Sequence, residues 1–169
     1  MLLHYSEDAT ITRFVPHVPP SNPTQRAAVW AIDSGHAPLY WFPRDCPRVV
    51  VWANDDDQAR RLATRFETTA RRVQAAPARW EARVRATILY EYRFDPAPFV
   101  PWPDAEGQWI SYEPVVPFEV VPVGDLIERQ HAAGVDLRFV ADLGPLRELA
   151  LDGDLPFSIV RWSNRDLAP

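Results

Sequence analysis

Short apolar runs with strand-like alternation fill most of this chain, and long helical periodicity occurs only once. The opening "LLHYS" alternates so that Leu2, His4 and Ser6 share one face and Leu3 and Tyr5 the other. "AAVWAID" (27–33) is apolar almost throughout, which predicts a strand buried on both faces. "RVVVWAN" (48–54) predicts a third strand. The helical segment is "NDDDQARRLATRFETTARRV". There Ala59, Leu62, Ala63, Phe66, Ala70 and Val73 fall on one face and arginines cover the other. Asn54 or Asp55 supplies its cap, and the aspartates favour the positive end of the helix dipole.

Later segments are shorter. "ATILYEYRF" (86–94) alternates, with Ile88, Tyr90, Tyr92 and Phe94 on one side and Leu89, Glu91 and Arg93 on the other. A proline-rich loop leads to "QWISYEPVVPFEVVPV", read as two short strands broken at Pro114 and Pro117. "DLIERQHAAG" predicts a helix capped by Asp125, with Glu128 at the capping-box position and Gly134 ending it. "VDLRFVA" predicts a strand, "LGPLRELALDG" a short helix and "FSIVRWS" a last strand. Residues 15–25, with four prolines, read as a surface loop. Ser34 caps at most a brief turn, because Pro38 and Pro43 limit any helix there. Strands and helices mix without strict alternation. The expected class is α+β: one domain over residues 1–169, with an antiparallel or mixed sheet and flanking helices.

Composition narrows the function classes. A chain of 169 residues that is 47% hydrophobic has enough apolar matter for one sizeable core. The net charge of −5 argues against nucleic acid as a general partner. Every basic residue is arginine, which removes a P-loop lysine and a Schiff-base lysine. The single cysteine, Cys46, allows neither an internal disulfide nor a cysteine cluster for structural zinc. With no signal-like start and no apolar run of bilayer length, the expectation is a soluble cytoplasmic protein without a membrane partner.

Three stretches carry candidate chemistry. His4 and Ser6 either floor a pocket or sit satisfied at a sheet edge. "APLYWFPRDCPRV" (37–49) places Tyr40, Trp41 and Phe42 beside Arg44, Asp45 and Arg48. Such aromatics and arginines stack a planar ring and grip a phosphate, or form a core turn with a surface ion pair. Cys46 has no motif partner there, and a small buried thiol between prolines is the commoner case. Glu113 ends a strand just before a bend, a place from which a carboxylate faces either a cleft or solvent. His17, His36 and His131 are scattered, and neither HxH nor HExxH occurs, so no metal site is expected.

The three stretches stand in an order that resembles the His–Tyr–Glu arrangement of the ADP-ribosyltransferase fold. The matching segments are "LLHYS", "VWAIDSGHAPLY" and "SYEPVVPFEVVPVGDL". Over nearly its full length the chain is also similar to a bacterial family of unknown function with "HxSE", "VWAID", "PRDCPRV" and a terminal "FSIxR". The first resemblance implies a split sheet and NAD as substrate. It implies that His4 bonds a ribose hydroxyl, with Ser6 as the small hydroxyl residue beside it. Tyr40 would pack on the nicotinamide, with Trp30, Trp41 and Tyr5 as rivals. Glu113 would hold the nicotinamide ribose and stabilise an oxocarbenium-like transition state. Trp30 and Arg44 complete the expected cofactor-binding set. Two features depart from that family: Pro114 follows Glu113, and Ser111 occupies the position two before it, so no ExE or QxE pair exists.

The leading expectation is an NAD-dependent ADP-ribosyltransferase-like enzyme that cleaves the nicotinamide glycosidic bond, with an acceptor the sequence does not reveal. A non-catalytic module binding a small-molecule nucleotide or a protein on the same fold is the alternative. A third reading, an enzyme acting on RNA ends through Arg44, Arg48 and Arg161, is opposed by the negative charge.

Overall fold

Leu2 and Leu3 point to opposite sides of the first strand, and both are buried. Both faces of that strand are therefore covered, and it lies between two neighbours in its sheet. The computed structural model describes residues 1–19, 23–167 and 169. In chain order these form β1 (Leu2–Ser6), β2 (Val29–Ile32), β3 (Arg48–Trp52), α1 (Asp56–Phe66), β4 (Arg72–Pro77), α2 (Glu81–Ala86) and β5 (Tyr90–Phe94). There follow β6 (Val100–Pro101), β7 (Gln108–Ser111), β8 (Glu119–Pro122), α3 (Leu126–Ala132), β9 (Val135–Val140), α4 (Gly144–Leu151) and β10 (Phe157–Val160). The class is α+β, with one antiparallel and one mixed sheet. The chain divides into two compact units: Met1–Tyr40 with Ile88–Val123, and Trp41–Thr87 with Gly124–Pro169.

The first unit is a six-stranded sheet in the order β6-β7-β2-β1-β5-β8, antiparallel throughout. Paired residues in a sheet point to the same side. Leu2 faces Phe94, His4 faces Tyr92 and Ser6 faces Tyr90 across β1 and β5. That side carries the core cluster of Leu2, Val29, Ala31, Tyr92, Phe94, Phe99 and Val115. The chain after β1 crosses it as a strap. Tyr92 anchors the strap by donating its hydroxyl to the Asp8 carbonyl and accepting the Ile11 N–H. Phe14 then inserts edge-on against His4, Tyr92 and Phe94 at 4.8, 5.1 and 5.1 Å. Phe14 and Val115 exchange two backbone hydrogen bonds, of 2.8 and 3.0 Å, which close the strap.

The second unit is a four-stranded sheet, β10-β3-β4-β9, in which only β4 and β9 run parallel. All five residues of β3 are buried. Val49, Val51, Leu62, Phe66, Val73 and Ala75 form the heart of its core. Asp55 caps α1 by accepting the Gln58 N–H, and Asp125 caps α3 by accepting the Ile127 and Glu128 N–H groups.

Three local expectations are corrected. The helix of residues 54–73 stops at Phe66, where Glu67 turns left-handed at φ 50° and its N–H returns to the Ala63 carbonyl. Val73, which continues the helical spacing, belongs to β4 and pairs with Val51. Ile88 does not join the face of Tyr90, Tyr92 and Phe94. It lies before β5 begins and is 65% exposed, because pairing with β1 starts only at Tyr90. The proline-rich loop after β5 contains β6, whose two residues pair with β7. Of the predicted loop 15–25, residues 20–22 lie outside the described residues, and His17 bridges Ala28.

On β9, Arg138 grips Asp136 through two hydrogen bonds of 3.1 and 2.7 Å. These hold the Asp136 carboxyl below the ordinary carboxylate range, against a smaller opposing effect of burial. A depressed carboxyl contributes stability above its unfolded pKa, about 4, and loses it as pH falls through the lower native value. Asp136→Asn is therefore expected to flatten the acid limb of stability against pH. Urea midpoints measured from pH 7 down to pH 3 check this, and parallel curves for the two proteins would refute it.

Candidate functional site

The C-terminal end of β1 lies beside the N-terminal end of β2, since Leu3 pairs with Ile32 in antiparallel register. Val29, at that end of β2, pairs with Ser111, the last residue of β7. Antiparallel pairing thus gathers Ser6, Val29 and Ser111 at one end of the six-stranded sheet. Glu113 lies just beyond.

His4 Nδ1–H donates to the Trp30 carbonyl at 3.0 Å, an orientation required because a carbonyl only accepts. In the neutral ring this leaves Nε2 as the acceptor. The ring is half-buried, with Phe14 against it. Ser6 Oγ accepts the Asp8 N–H at 3.1 Å and so starts the turn that follows β1. Trp30 is half-buried and meets Trp102 edge-on at 5.3 Å. Its neighbours Val29 and Ala31 belong to the core on the His4 side, so alternation turns the Trp30 ring to the opposite face. The sheet therefore brings the Trp30 backbone to His4 and keeps the Trp30 ring from it.

Tyr40 ends a short 3-10 turn, Ala37–Tyr40, and its hydroxyl accepts from Gln108 Nε2 at 3.1 Å. Gln108 pairs with Ile32, at the end of β7 away from Ser111 and on the face opposite His4, so Tyr40 is not brought to Glu113 as expected. Of its rivals, Tyr5 donates to Glu91, while Trp41 is buried in the second unit beside Arg129. Ser111 is only 1% exposed. Its Oγ donates to the Glu113 carbonyl at 3.0 Å and accepts the Glu113 N–H at 3.2 Å. One buried hydroxyl thus fixes the bend from both sides and leaves the Glu113 side chain exposed.

Arg44 belongs to the second unit, as do Arg48 and Arg161. Arg44 is exposed, and its carbonyl accepts from Arg161 Nε at 3.4 Å. Arg48 is 4% exposed and donates to the Cys46 carbonyl. Cys46 is fully buried, and burial pushes its thiol up to about 12. A thiol so protonated and enclosed is inert. Alkylation by iodoacetamide at pH 8 is expected only after unfolding, and labelling of the folded protein at the rate of a free thiol would contradict this.

Two surface depressions, each of about 560 Å³, lie in the second unit. One is bordered by Glu67, Thr68 and Asp136, the other by Arg60, Arg61 and Leu149, and no candidate residue lines either. Among the described residues, no group of three histidine, cysteine or carboxylate side chains is placed to hold a metal ion. No described helix is long and apolar enough to cross a membrane.

Sequence reasoning missed a polar line on the face opposite His4. Glu91 is 4% exposed and accepts the Tyr5 hydroxyl and Arg93 Nε, each at 2.8 Å. Arg93 reaches on to Glu119 at 2.7 Å. The alternation of residues 86–94 had placed Glu91 and Arg93 together, but nothing local distinguishes a buried polar row from a solvated one.

Neither the curated proteins nor the solved structures contain a match to the chain. One family model does match, over residues 3–165, and it describes a family of unknown function, DUF6886. A match of that extent covers both units, and the chain belongs to this family of unknown function.

Proposed function

We propose that the chain binds NAD and transfers its ADP-ribose moiety to an acceptor. The observation that supports this reading is the adjacency of β7, β2 and β1 in one sheet. β1 carries His4 and Ser6, β2 the Trp30 carbonyl, and Glu113 follows β7 by two residues, so residues far apart in sequence lie on or beside neighbouring strands. In the proposed reaction the bond between ribose C1′ and the nicotinamide nitrogen breaks. The electron pair leaves with nicotinamide, and positive charge develops on the sugar. The Glu113 carboxylate stabilises that charge. A nucleophilic oxygen or nitrogen of the acceptor, or water, then bonds to C1′ and loses its proton to solvent, with no net oxidation. His4, its ring oriented by the bond to the Trp30 carbonyl, is the residue proposed to contact a ribose hydroxyl. Ser6 stands beside it, while Tyr40, whose hydroxyl is held by Gln108 at the far end of β7, takes no part. No role is assigned to Arg44. A reducing cytoplasm, where Cys46 stays a thiol, is the proposed setting.

One observation favours a second reading. His4 is already bonded to a backbone carbonyl and packed against Phe14, as a purely structural histidine would be. On that reading the protein binds a nucleotide or a protein partner without turnover. Calorimetric titration tests the nucleotide part of both. Saturable binding of NAD, ADP-ribose or AMP is expected, and the absence of heat with all three would remove the nucleotide from the account.

A further inference from the structure

The proposed site accounts for a ribose and a leaving group but not for the doubly charged diphosphate that joins the two halves of NAD. A carboxylate at Glu113 would repel that group unless a cation stood near. The strand ends supply one. Arg26 lies three residues before β2, the strand whose first residue, Val29, pairs with Ser111. Its guanidinium carbon sits 3.8 Å from the centre of the Tyr112 ring. Tyr112 stands between Ser111, which fixes the bend, and Glu113. Both side chains reach solvent: Tyr112 is 40% exposed, and Arg26 is exposed.

Among the described residues no carboxylate pairs with Arg26; its one recorded side-chain contact is the tyrosine ring. At 3.8 Å the ring is close enough to hold the cation against its face. Stacking of this kind limits the rotation of a long side chain and leaves the N–H edge open. A planar fork with free donors, held by a ring, is suited to accept two phosphate oxygens together. Glu113 follows Tyr112 directly, so the two side chains leave neighbouring Cα atoms about 3.8 Å apart. The separation suits a ligand whose sugar and phosphates are directly linked.

We propose that Arg26, held on Tyr112, binds the diphosphate of the nucleotide whose ribose faces Glu113. The inference rests on the nucleotide reading above and adds to it the group that recognises phosphate. It also specifies the ligand class as a nucleoside diphosphate sugar rather than a nucleoside.

Calorimetric titrations with two probes test it: ADP-ribose, which carries the diphosphate, and nicotinamide riboside, which carries none. The proteins are wild type, Arg26→Ala, Arg26→Lys and Tyr112→Ala. Because both side chains are exposed, all variants are expected to melt within a degree or two of wild type. Arg26→Ala is expected to weaken ADP-ribose binding about tenfold or more, as losing a charge-assisted hydrogen-bonded pair does. Nicotinamide riboside binding should stay unchanged. Arg26→Lys should recover only part of the loss, since an ammonium keeps the charge without the fork. Tyr112→Ala should fall between wild type and Arg26→Ala. If wild type binds ADP-ribose and Arg26→Ala binds it equally well, this inference is overturned while the nucleotide reading stands. Equal weakening toward both probes would also overturn it, by showing general damage rather than phosphate recognition. If wild type binds neither probe, the nucleotide reading fails and takes this inference with it.

Discussion

Tyr92→Ala is expected to cost about 3–5 kcal/mol of stability, the range for large aromatic truncations in a close-packed core. Tyr92 is completely buried on β5, paired with His4 on the neighbouring strand β1. Its ring supports Phe14, and its hydroxyl ties the strap to the sheet at Asp8 and Ile11. Alanine would open a cavity and leave both backbone groups without their partner. Burial raises the Tyr92 hydroxyl pKa, so the group stays neutral and able to donate. Tyr92→Phe separates the two contributions. It keeps the ring and removes only the hydrogen bonds, so a loss of about 1–3 kcal/mol is expected. Urea unfolding gives both numbers, provided the denaturant slope is unchanged. A cost below about 1 kcal/mol for Tyr92→Ala would contradict the burial assigned to this residue. The strap also covers His4, so Tyr92→Ala should loosen the imidazole together with the core.

Glu113→Gln is expected to lower nicotinamide release about a hundredfold, the scale for losing one group that stabilises charge in the transition state. Glutamine keeps the shape and most of the hydrogen bonding but cannot neutralise a cationic sugar. NAD affinity should change little, because the carboxylate interacts most strongly only as charge develops. Stability should also change little, since the side chain is exposed and the bend is held by the Ser111 hydroxyl and the backbone. Equal turnover in the two proteins would remove Glu113 from the mechanism. A rise in KM at constant kcat would assign it to ground-state binding instead.

Local patterns carried much of the fold. The apolar run 49–52 marked β3 as a strand, which the structure shows buried throughout, and the pair Asn54 and Asp55 and the later Asp125 marked two helix starts. Apolar spacing failed where two elements share a period by chance. Val73 continues the stripe of Leu62 and Phe66, yet it belongs to a strand. β4 itself, "RVQAAP", has no clean alternation because nearly all of it is buried, including Gln74, which donates to Gln130.

The candidate site was legible as a set of residue types on strands and illegible as an arrangement. Placing β7 beside β2 is a long-range pairing that no local signal specifies. The same holds for Phe14 against His4 and for Arg26 on Tyr112. Alternation within "AAVWAID" did contain one decisive fact. If Val29 and Ala31 face the core on the His4 side, the Trp30 ring faces away.

The account stands most directly on nicotinamide release from NAD by the wild-type protein, measured at saturating NAD with water and a panel of acceptors. Release well above the spontaneous rate, with ADP-ribose recovered free or on an acceptor, is the predicted result. Saturable NAD binding with release no faster than in buffer would contradict the catalytic claim and leave a nucleotide-binding module in its place.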